Sequence, residues 1–255
     1  MGVSLGAEQY QLPNDIQDDI PIVKEHDRKW CVSLTSDGQI WRRPWPFPSA
    51  FKKIAEKLRD QAPDQLPYNI VLVGGAVSVL SNIRTATEDI DFFMAGQDDS
   101  DDQMARLEEV AEGIANELGL SQSFMNSNVR LFINNRVFEP AIERTWTQNQ
   151  RVFQSRELNV FVADYGYQLV SKLERISMKI RDRQAVLPKD LTDATFYLHS
   201  LIKKKNKIAR GDVVGLYPSD GYTPYILDES LDMLEANYQT TYGEVPWGQW
   251  FCCYC

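Results

Sequence analysis

The sequence lacks a long apolar run. Its longest apolar stretch, residues 70–80, contains two glycines and a serine and is well short of the roughly 20 residues that a membrane-spanning helix needs. The N-terminal residues have neither the basic start nor the sustained apolar segment of a secretory signal. We therefore expect a cytoplasmic protein without a membrane span.

Cysteine and histidine are also scarce. Three of the four cysteines fall in the last four residues, which makes a disulfide framework implausible and favours reduced thiols. The two histidines, His26 and His199, do not have the spacing of metal ligands, so we interpret both as structural. These shortages argue against a disulfide-stapled module and against a histidine-based metal site.

Charge is distributed unevenly along the 255 residues, whose formal net charge is −9. Residues 88–118 hold eleven acids and one arginine, so the remainder of the chain carries about +1. Residues 170–210 instead hold eleven lysines and arginines against four acids. The acidic total is therefore compatible with one basic surface and with a polyanionic partner such as RNA or tRNA.

The apolar pattern predicts alternating strands and helices. Residues 68–74 form an apolar, β-branched run that ends in two glycines, which is typical of a buried strand. A helix-compatible segment follows, and residues 89–94 then alternate like a second strand. Strand, glycine turn, helix and strand is the signature of an α/β fold.

The remaining elements are predicted from the same signals. They are a hairpin at 30–41, helices at 49–62, 102–118, 167–183, 188–205 and 226–237, and strands at 129–133, 151–154 and 158–163. Asn134 and Asn135 are interpreted as a turn. We divide the chain into an N-terminal elaboration (1–65), a core (66–165) and a helical C-terminal region (166–255).

Two glycines and two aspartates are the residues most suited to chemistry. Gly74 and Gly75 end the first strand, and Asp89 and Asp91 lie two apart on the second, so both carboxylates point to one face. Paired carboxylates suit Mg²⁺ that is bound together with a phosphate-bearing substrate. Glycines let the backbone approach an anion, and the helix behind them adds amide donors. These residues predict one site for a metal-bound triphosphate.

Other interpretations of these residues remain open. The glycines and aspartates also fit a tight strand-to-helix turn followed by a solvated strand end. A dinucleotide-binding fold is a poorer alternative, because the pattern G-x-G-x-x-G is absent. The basic stripe of residues 172–183 fits either a solvated helix face or, through Lys172, a contact with phosphate.

These residues resemble the nucleotidyltransferase superfamily, the fold shared by polymerase-β-like enzymes and by the nucleotidyltransferase toxins of type IV toxin–antitoxin systems. The family pattern is an apolar residue, Gly-Gly or Gly-Ser, a gap, and then acid-apolar-acid-apolar. Here Val73-Gly74-Gly75 is followed, after thirteen residues, by Asp89-Ile90-Asp91-Phe92.

A second motif resembles the toxin-like branch of that superfamily. Lys172, then Arg181 or Arg183, and then Lys189-Asp190-Leu-Thr-Asp193 is similar to the branch's order of lysine, arginine and Lys-Asp-x-x-Asp. Arg84 and Thr87 resemble the arginine and threonine that precede the acids in the same branch. The resemblance covers about residues 66–205.

The resemblance implies an α/β (α+β) nucleotidyltransferase fold, with a mixed sheet flanked by helices and with appended C-terminal helices. It implies Mg²⁺ or Mn²⁺ on Asp89 and Asp91. It further implies that a nucleoside triphosphate such as ATP contacts a set made up of Gly74, Gly75, Arg84, Thr87 and Lys172. The expected activity is transfer of a nucleoside monophosphate to a hydroxyl of RNA, protein or a small molecule.

The family's third carboxylate, a general base on a later strand, has no direct equivalent. Asn159 occupies the matching position and Glu157 is the nearest acid, so both are candidate catalytic residues. Asparagine cannot accept a proton near neutral pH. An alternative is therefore a nucleotidyltransferase fold without nucleotidyl transfer, either a binding or regulatory protein or an enzyme repurposed for another reaction on an RNA or tRNA-borne substrate.

Overall fold

The strands and helices alternate along most of the chain. The computed structural model describes residues 30–34, 40–44, 47–61, 67–84, 87, 89–95, 101–133, 135–205, 208–217 and 221–248. The strands there are β1 (Trp30–Leu34), β2 (Ile40–Pro44), β3 (Tyr68–Val73), β4 (Ile90–Met94), β5 (Met125–Asn126), β6 (Arg151–Gln154) and β7 (Leu158–Val162). The α-helices are α1 (Phe47–Gln61), α2 (Gly75–Leu80), α3 (Asp101–Leu118), α4 (Asn135–Gln148), α5 (Tyr165–Arg181), α6 (Pro188–Lys205) and α7 (Asp228–Tyr242).

Five strands form one open, mixed sheet in the order β5-β4-β3-β7-β6. The central strand β3 is antiparallel to β4 and parallel to β7, while β4 and β5 run parallel and β6 is antiparallel to β7. Strands β1 and β2 pair with each other as a separate antiparallel hairpin. The structure confirms the α+β class and the mixed sheet.

Both faces of the sheet are buried, because helices cover each of them. Ile70 and Leu72 of β3 join a core cluster with residues of α1, α3, α5, α6 and α7. Val71 and Val73 point to the opposite face and join a second cluster with α4. The first cluster draws residues from all three predicted regions of the chain, so these regions share one core.

Helix α5 fixes the position of the C-terminal helices relative to the sheet. Asp164 caps its first turn by accepting from the Tyr167 N–H at 2.9 Å. Helix α5 packs against both α6 and α7. Pro188 opens α6 at a position where its missing N–H has no consequence. The first turns of α5 lie beside the end of β3, where Gln168 accepts from the Gly74 N–H at 3.0 Å.

Two local predictions were wrong. Residues 129–133 are not a strand, because Asn128–Phe132 form a 3₁₀ helix that Ile133 caps, and the neighbouring strand is the short β5. The second error concerns α4, where Asn135 begins a helix instead of completing a turn. An internal Pro140 and the asparagine pair obscured the helical spacing of its buried residues, which are Val137, Phe138, Ala141 and Ile142.

Some predictions concern residues outside the described ranges. The hairpin turn at 36–38, His26, Asn134 and the cysteines of residues 252–255 all lie there. The hairpin's two strands are described and their pairing is confirmed, with Trp30 opposite Pro44 and Leu34 opposite Ile40. Among the described helices, none combines the length and apolarity needed to cross a membrane.

Candidate active site

A cavity of about 310 Å³ lies where β3 and β4 meet the first turns of α5. Its volume falls in the range typical of small-molecule sites. Seven of the nine predicted site residues line it, namely Gly74, Gly75, Arg84, Thr87, Asp89, Asp91 and Lys172. Seven further residues complete the lining, namely Val73, Val129, Tyr167, Gln168, Ser171, Arg175 and Lys189. The glycine turn, the acid pair and the basic helix thus meet in one place.

The acid pair is placed by the antiparallel pairing of β3 and β4, which sets Asp91 directly opposite Val73. Ile90 and Phe92 are fully buried on the other face, as the alternation predicted. Phe93 is buried as well, because α4 covers the face on which Asp91 lies. Asp91 is therefore a partly buried carboxylate beside an apolar cluster.

The environment of Asp91 favours its protonated form. Burial, followed by the charge of Asp89, raises the pKa of Asp91 from the ordinary 3.8 to about 6, against the opposing effects of Lys172, Arg175 and a hydrogen bond with Asn126. Burial removes water that would solvate the anion, and the second carboxylate adds repulsion. A cation bound between the two carboxylates would relieve both effects.

Gly74 has a backbone conformation, φ 68° and ψ −135°, that is essentially restricted to glycine. A Cβ at this position would lie 3.6 Å from Oδ2 of Asp91. Helix α2, which follows, has only six residues, so its dipole adds little to the site. The glycine turn therefore serves to bring the backbone next to the acid pair.

Gly75 is needed for packing against its neighbours and not for approach to a ligand. A Cβ there would lie 2.5 Å from Oγ1 of Thr87 and 2.9 Å from Nη1 of Arg84. The side chains of the loop before β4 thus occupy the space that the missing side chain leaves. Thr87 is itself fixed by donating to the Asp89 carbonyl at 3.2 Å.

Replacing Gly75 with alanine is expected to lower the free energy of unfolding by about 1–3 kcal/mol, because the methyl group must displace Thr87 and Arg84. Gly215→Ala is the matched control, since nothing lies within 4 Å of a Cβ built there. Urea unfolding of both variants measures the difference. Equal stabilities would show that the loop before β4 yields without cost.

A buried cluster of ion pairs holds two of the cations that line the pocket. Lys172 Nζ lies 3.0 Å from Asp190 Oδ1 and 2.9 Å from Asp193 Oδ2, and both aspartates are fully buried on α6. Arg84 Nη1 is 3.5 Å from Asp193 Oδ2. The Ser78 hydroxyl donates to Asp193 Oδ1 at 2.6 Å. Elements α2, α5, α6 and the loop before β4 are thereby joined.

Asp190 and Asp193 are further functional candidates. They belong to the Lys-Asp-x-x-Asp motif, but the sequence analysis did not assign them to the site. Their spacing of three residues on a helix places them on one face, which was the available signal. The pocket residues Gln168, Ser171 and Arg175 were missed as well. Gln168 and Arg175 lie four and three residues from Lys172 on α5, so helical spacing from Lys172 identifies these two, whereas Ser171 directly precedes Lys172 and has no such signal.

The structure does not bring Glu157 and Asn159 to the pocket. Glu157 accepts from Arg59 at 2.8 Å, and Asn159 donates to Asn69 at 2.9 Å. Asn69 and Asn159 are opposite each other in the parallel pair β3–β7. Asn69 lies four residues before Val73, which is roughly 13 Å along a strand, and Asn159 lies beside it. The two candidates therefore lie near the opposite end of the strands from the acid pair.

No protein-family model, curated protein or solved structure matches this chain. Function must therefore be inferred from the residues that line the pocket. Their charges are distinctive, because four cations (Arg84, Lys172, Arg175 and Lys189) line it with two carboxylates.

The donor set fits one divalent ion that shares its coordination with a ligand. Asp89 and Asp91 are two hard oxygen donors, and Mg²⁺ commonly takes one or two carboxylates together with substrate phosphates and water. The pKa of Asp91 is raised first by burial and then by the charge of Asp89, and Lys172 and Arg175 offset these effects only in part. Within the described part of the chain, no group of three or more acidic, histidine or cysteine side chains is placed to hold a metal alone.

Proposed function

We propose that this chain has a nucleotidyltransferase fold and transfers a nucleoside monophosphate from a Mg²⁺-bound nucleoside triphosphate to an acceptor hydroxyl. The observation that carries the proposal is that one pocket unites a glycine turn, an adjoining pair of carboxylates and four cations. These are the groups that a metal-bound triphosphate requires. The motifs that resemble the toxin-like branch supply most of them.

Each group has a distinct task in this reaction. Asp89 and Asp91 would hold the metal, which when bound supplies charge neutralisation at the phosphates. Lys172, only 14% exposed and held by two aspartates, presents a fixed positive charge to the triphosphate. Arg175 is 61% exposed, so its guanidinium can move to follow the phosphates as they enter or leave. Together they would orient the α-phosphate for in-line attack. In that step the acceptor oxygen bonds to the α-phosphorus, the bond from the α-phosphorus to the β-phosphate oxygen breaks, pyrophosphate leaves and the hydroxyl proton passes to water.

The acceptor hydroxyl needs little covalent help from the protein. Phosphoryl transfer is catalysed mainly by positioning and by stabilisation of charge. Among the residues described for the pocket, Asp89 and Asp91 are the only carboxylates. A separate third carboxylate is thus not part of the proposed mechanism.

A second candidate function is nucleotide binding without transfer. The position of Asn159 favours it, because both the expected general-base position and Glu157 lie outside the pocket. Such a protein would retain the metal-bound triphosphate and act as a binding or regulatory subunit. Stoichiometric binding without turnover distinguishes it from the transferase.

The test is transfer of label from each of the four α-³²P nucleoside triphosphates, with Mg²⁺ or Mn²⁺, to total RNA, total protein or the chain itself. Total RNA is included because of the basic segment that contains α5 and α6. We expect labelled product with the native chain and none with Asp89→Asn/Asp91→Asn.

Glu157→Gln is the matched control, since it removes a carboxylate of the same chain outside the pocket. It is expected to retain transfer within about twofold, because Glu157 lies outside the pocket, where it accepts from Arg59, and glutamine keeps its size and an acceptor oxygen. Loss of transfer in this variant would restore Glu157 as a catalytic candidate. Absence of label in every reaction, with binding in equilibrium dialysis, would favour the second candidate function.

A further inference from the structure

The main-chain groups of Gly74 are bonded on both sides by buried side chains from two helices. The Gly74 N–H donates to Oε1 of Gln168 on α5 at 3.0 Å, and its carbonyl accepts from the Tyr197 hydroxyl of α6 at 3.0 Å. Gln168 is 3% exposed and Tyr197 is fully buried. Neither residue belongs to the glycine-acid motif or to the Lys-Asp motif.

Both side chains are held independently of Gly74. Gln168 Nε2 donates to the carbonyl of Ala163, just beyond β7, at 3.0 Å. The Tyr197 ring stacks on Tyr165 with 5.9 Å between ring centroids and an interplanar angle of 27°. Because neither side chain can move freely, each imposes its geometry on Gly74.

Such support matters because glycine does not hold a conformation by itself. The φ and ψ of Gly74 lie in a region that few other residues adopt, and an unrestrained glycine samples many alternatives to it. Two hydrogen bonds to one residue select a single arrangement. In that arrangement Gly74 lies beside the Asp91 carboxylate, and the side chains of Arg84 and Thr87 pack over Gly75.

We propose that Gln168 and Tyr197 are positioning residues, which hold the Gly74 backbone in the orientation that the bound nucleotide requires. The inference rests on the proposed function, because it assigns these residues to the triphosphate site. In this arrangement the Gly74 N–H is directed to Gln168, so it supports the turn and does not contact phosphate.

The expected effect follows from preorganisation. When only a fraction of the molecules has the competent turn, apparent affinity falls by that fraction. A hydrogen bond of typical net strength changes such an equilibrium by about fivefold. Gln168→Met and Tyr197→Phe should therefore each weaken binding of Mg²⁺–nucleoside triphosphate by up to about fivefold. Equilibrium dialysis with each of the four nucleotides measures this.

A second measurement, by NMR, reports on the conformation of the Gly74 backbone and does not require activity. The dipeptide Val-Gly occurs only at Val73-Gly74 and Val214-Gly215. Valine labelled with ¹³C at the carbonyl and glycine labelled with ¹⁵N therefore give two correlated NMR signals, and Gly215→Ala removes the second. We expect faster amide exchange of Gly74 in Gln168→Met and a shifted signal in both variants.

Matched controls lose comparable bonds elsewhere. Asn237→Leu removes a partly buried amide that donates to the Thr195 hydroxyl at 2.7 Å, and Tyr238→Phe removes a buried hydroxyl that bonds to His199. Both should leave the Gly74 signal and nucleotide affinity unchanged. Because Tyr197→Phe removes a single oxygen, it keeps the test decisive if Gln168→Met does not fold.

The outcomes separate this inference from the proposed function. If the native chain binds none of the four nucleotides, the proposed function fails, and the assignment of Gln168 and Tyr197 to a nucleotide site fails with it. If the native chain binds and the variants bind equally well, only the positioning role is wrong. An unchanged Gly74 signal in both variants overturns it equally.

Discussion

Replacing Asp91 with asparagine is expected to raise the free energy of unfolding at pH 8 and to abolish the proposed nucleotidyl transfer. The folded-state pKa of Asp91 is about 6, which is above its ordinary value of 3.8. The folded protein therefore binds the proton more tightly than the unfolded chain does. The associated stability is fully present below about pH 4 and is lost as the pH rises through 6.

The size of the stability difference follows from the shift in the pKa of Asp91. A change of this size corresponds to an upper bound of about 3 kcal/mol, and solvent screening of a half-buried group reduces it to about 1–2 kcal/mol. Asparagine has no charge to bury, so the variant should be more stable than the native chain above pH 6. Near pH 4 the two should be similar.

Urea unfolding in metal-free buffer between pH 4 and 8 measures this difference. Asp212→Asn, which removes an exposed carboxylate outside the pocket, is the matched control and should not show the same pH dependence. An Asp91→Asn variant that is less stable than the native chain at pH 8 would contradict the assigned electrostatics.

The effect of added Mg²⁺ on stability is an independent test of the role of the Asp91 carboxylate. Ligands that bind only the folded state raise its stability, and Mg²⁺ needs ionised carboxylates. We expect millimolar MgCl₂ to raise the unfolding midpoint of the native chain at pH 8. The increase should be lost at pH 5 and absent in Asp91→Asn. An equal increase in the variant would place the metal elsewhere.

Replacing Lys172 with methionine is expected to cost about 3–5 kcal/mol of stability, the effect of leaving a buried charge without its partner. Asp190 and Asp193 are fully buried, and Lys172 Nζ lies within 3.0 Å of both. The other contacting cations are further away, with Arg84 at 3.5 Å and Arg175 at 3.7 Å.

Lys179→Met is the matched control, since Lys179 lies two turns further along α5 and outside the pocket. It should change stability by less than about 0.5 kcal/mol. Adding Asp190→Asn and Asp193→Asn to Lys172→Met should restore part of the loss, because the uncompensated charges are then removed. A triple variant no more stable than Lys172→Met would show that packing, and not charge, accounts for the loss. Urea unfolding serves for all three.

The elements that sequence patterns predicted best are those that bury one strong apolar face. Strand β3 and helix α6 are close to their predicted limits, because β-branched runs, a glycine stop and a proline start are local signals. Helix α4 was missed since Pro140 and the asparagines are local signals for the wrong structure. Its burial against β3 and β4 outweighs them.

The candidate site shows the same division. Local motifs selected Gly74, Gly75, Asp89 and Asp91 because turn conformation and strand alternation depend on neighbouring residues alone. The same reasoning misplaced Asn159, because a triplet motif does not specify which end of a strand faces the pocket. The parallel register of β3 and β7 decides that.

By itself, the sequence determined the order of most helices and strands, the glycine turn, the acid pair and the basic face of α5. Only the tertiary structure decided that Lys172 is buried between Asp190 and Asp193, that α4 covers the second face of the sheet, and that Gln168 and Tyr197 hold Gly74. The physical reason is that backbone conformation and periodicity are local properties. Ion pairing, burial and hydrogen bonding between residues up to 123 positions apart depend on how the elements pack.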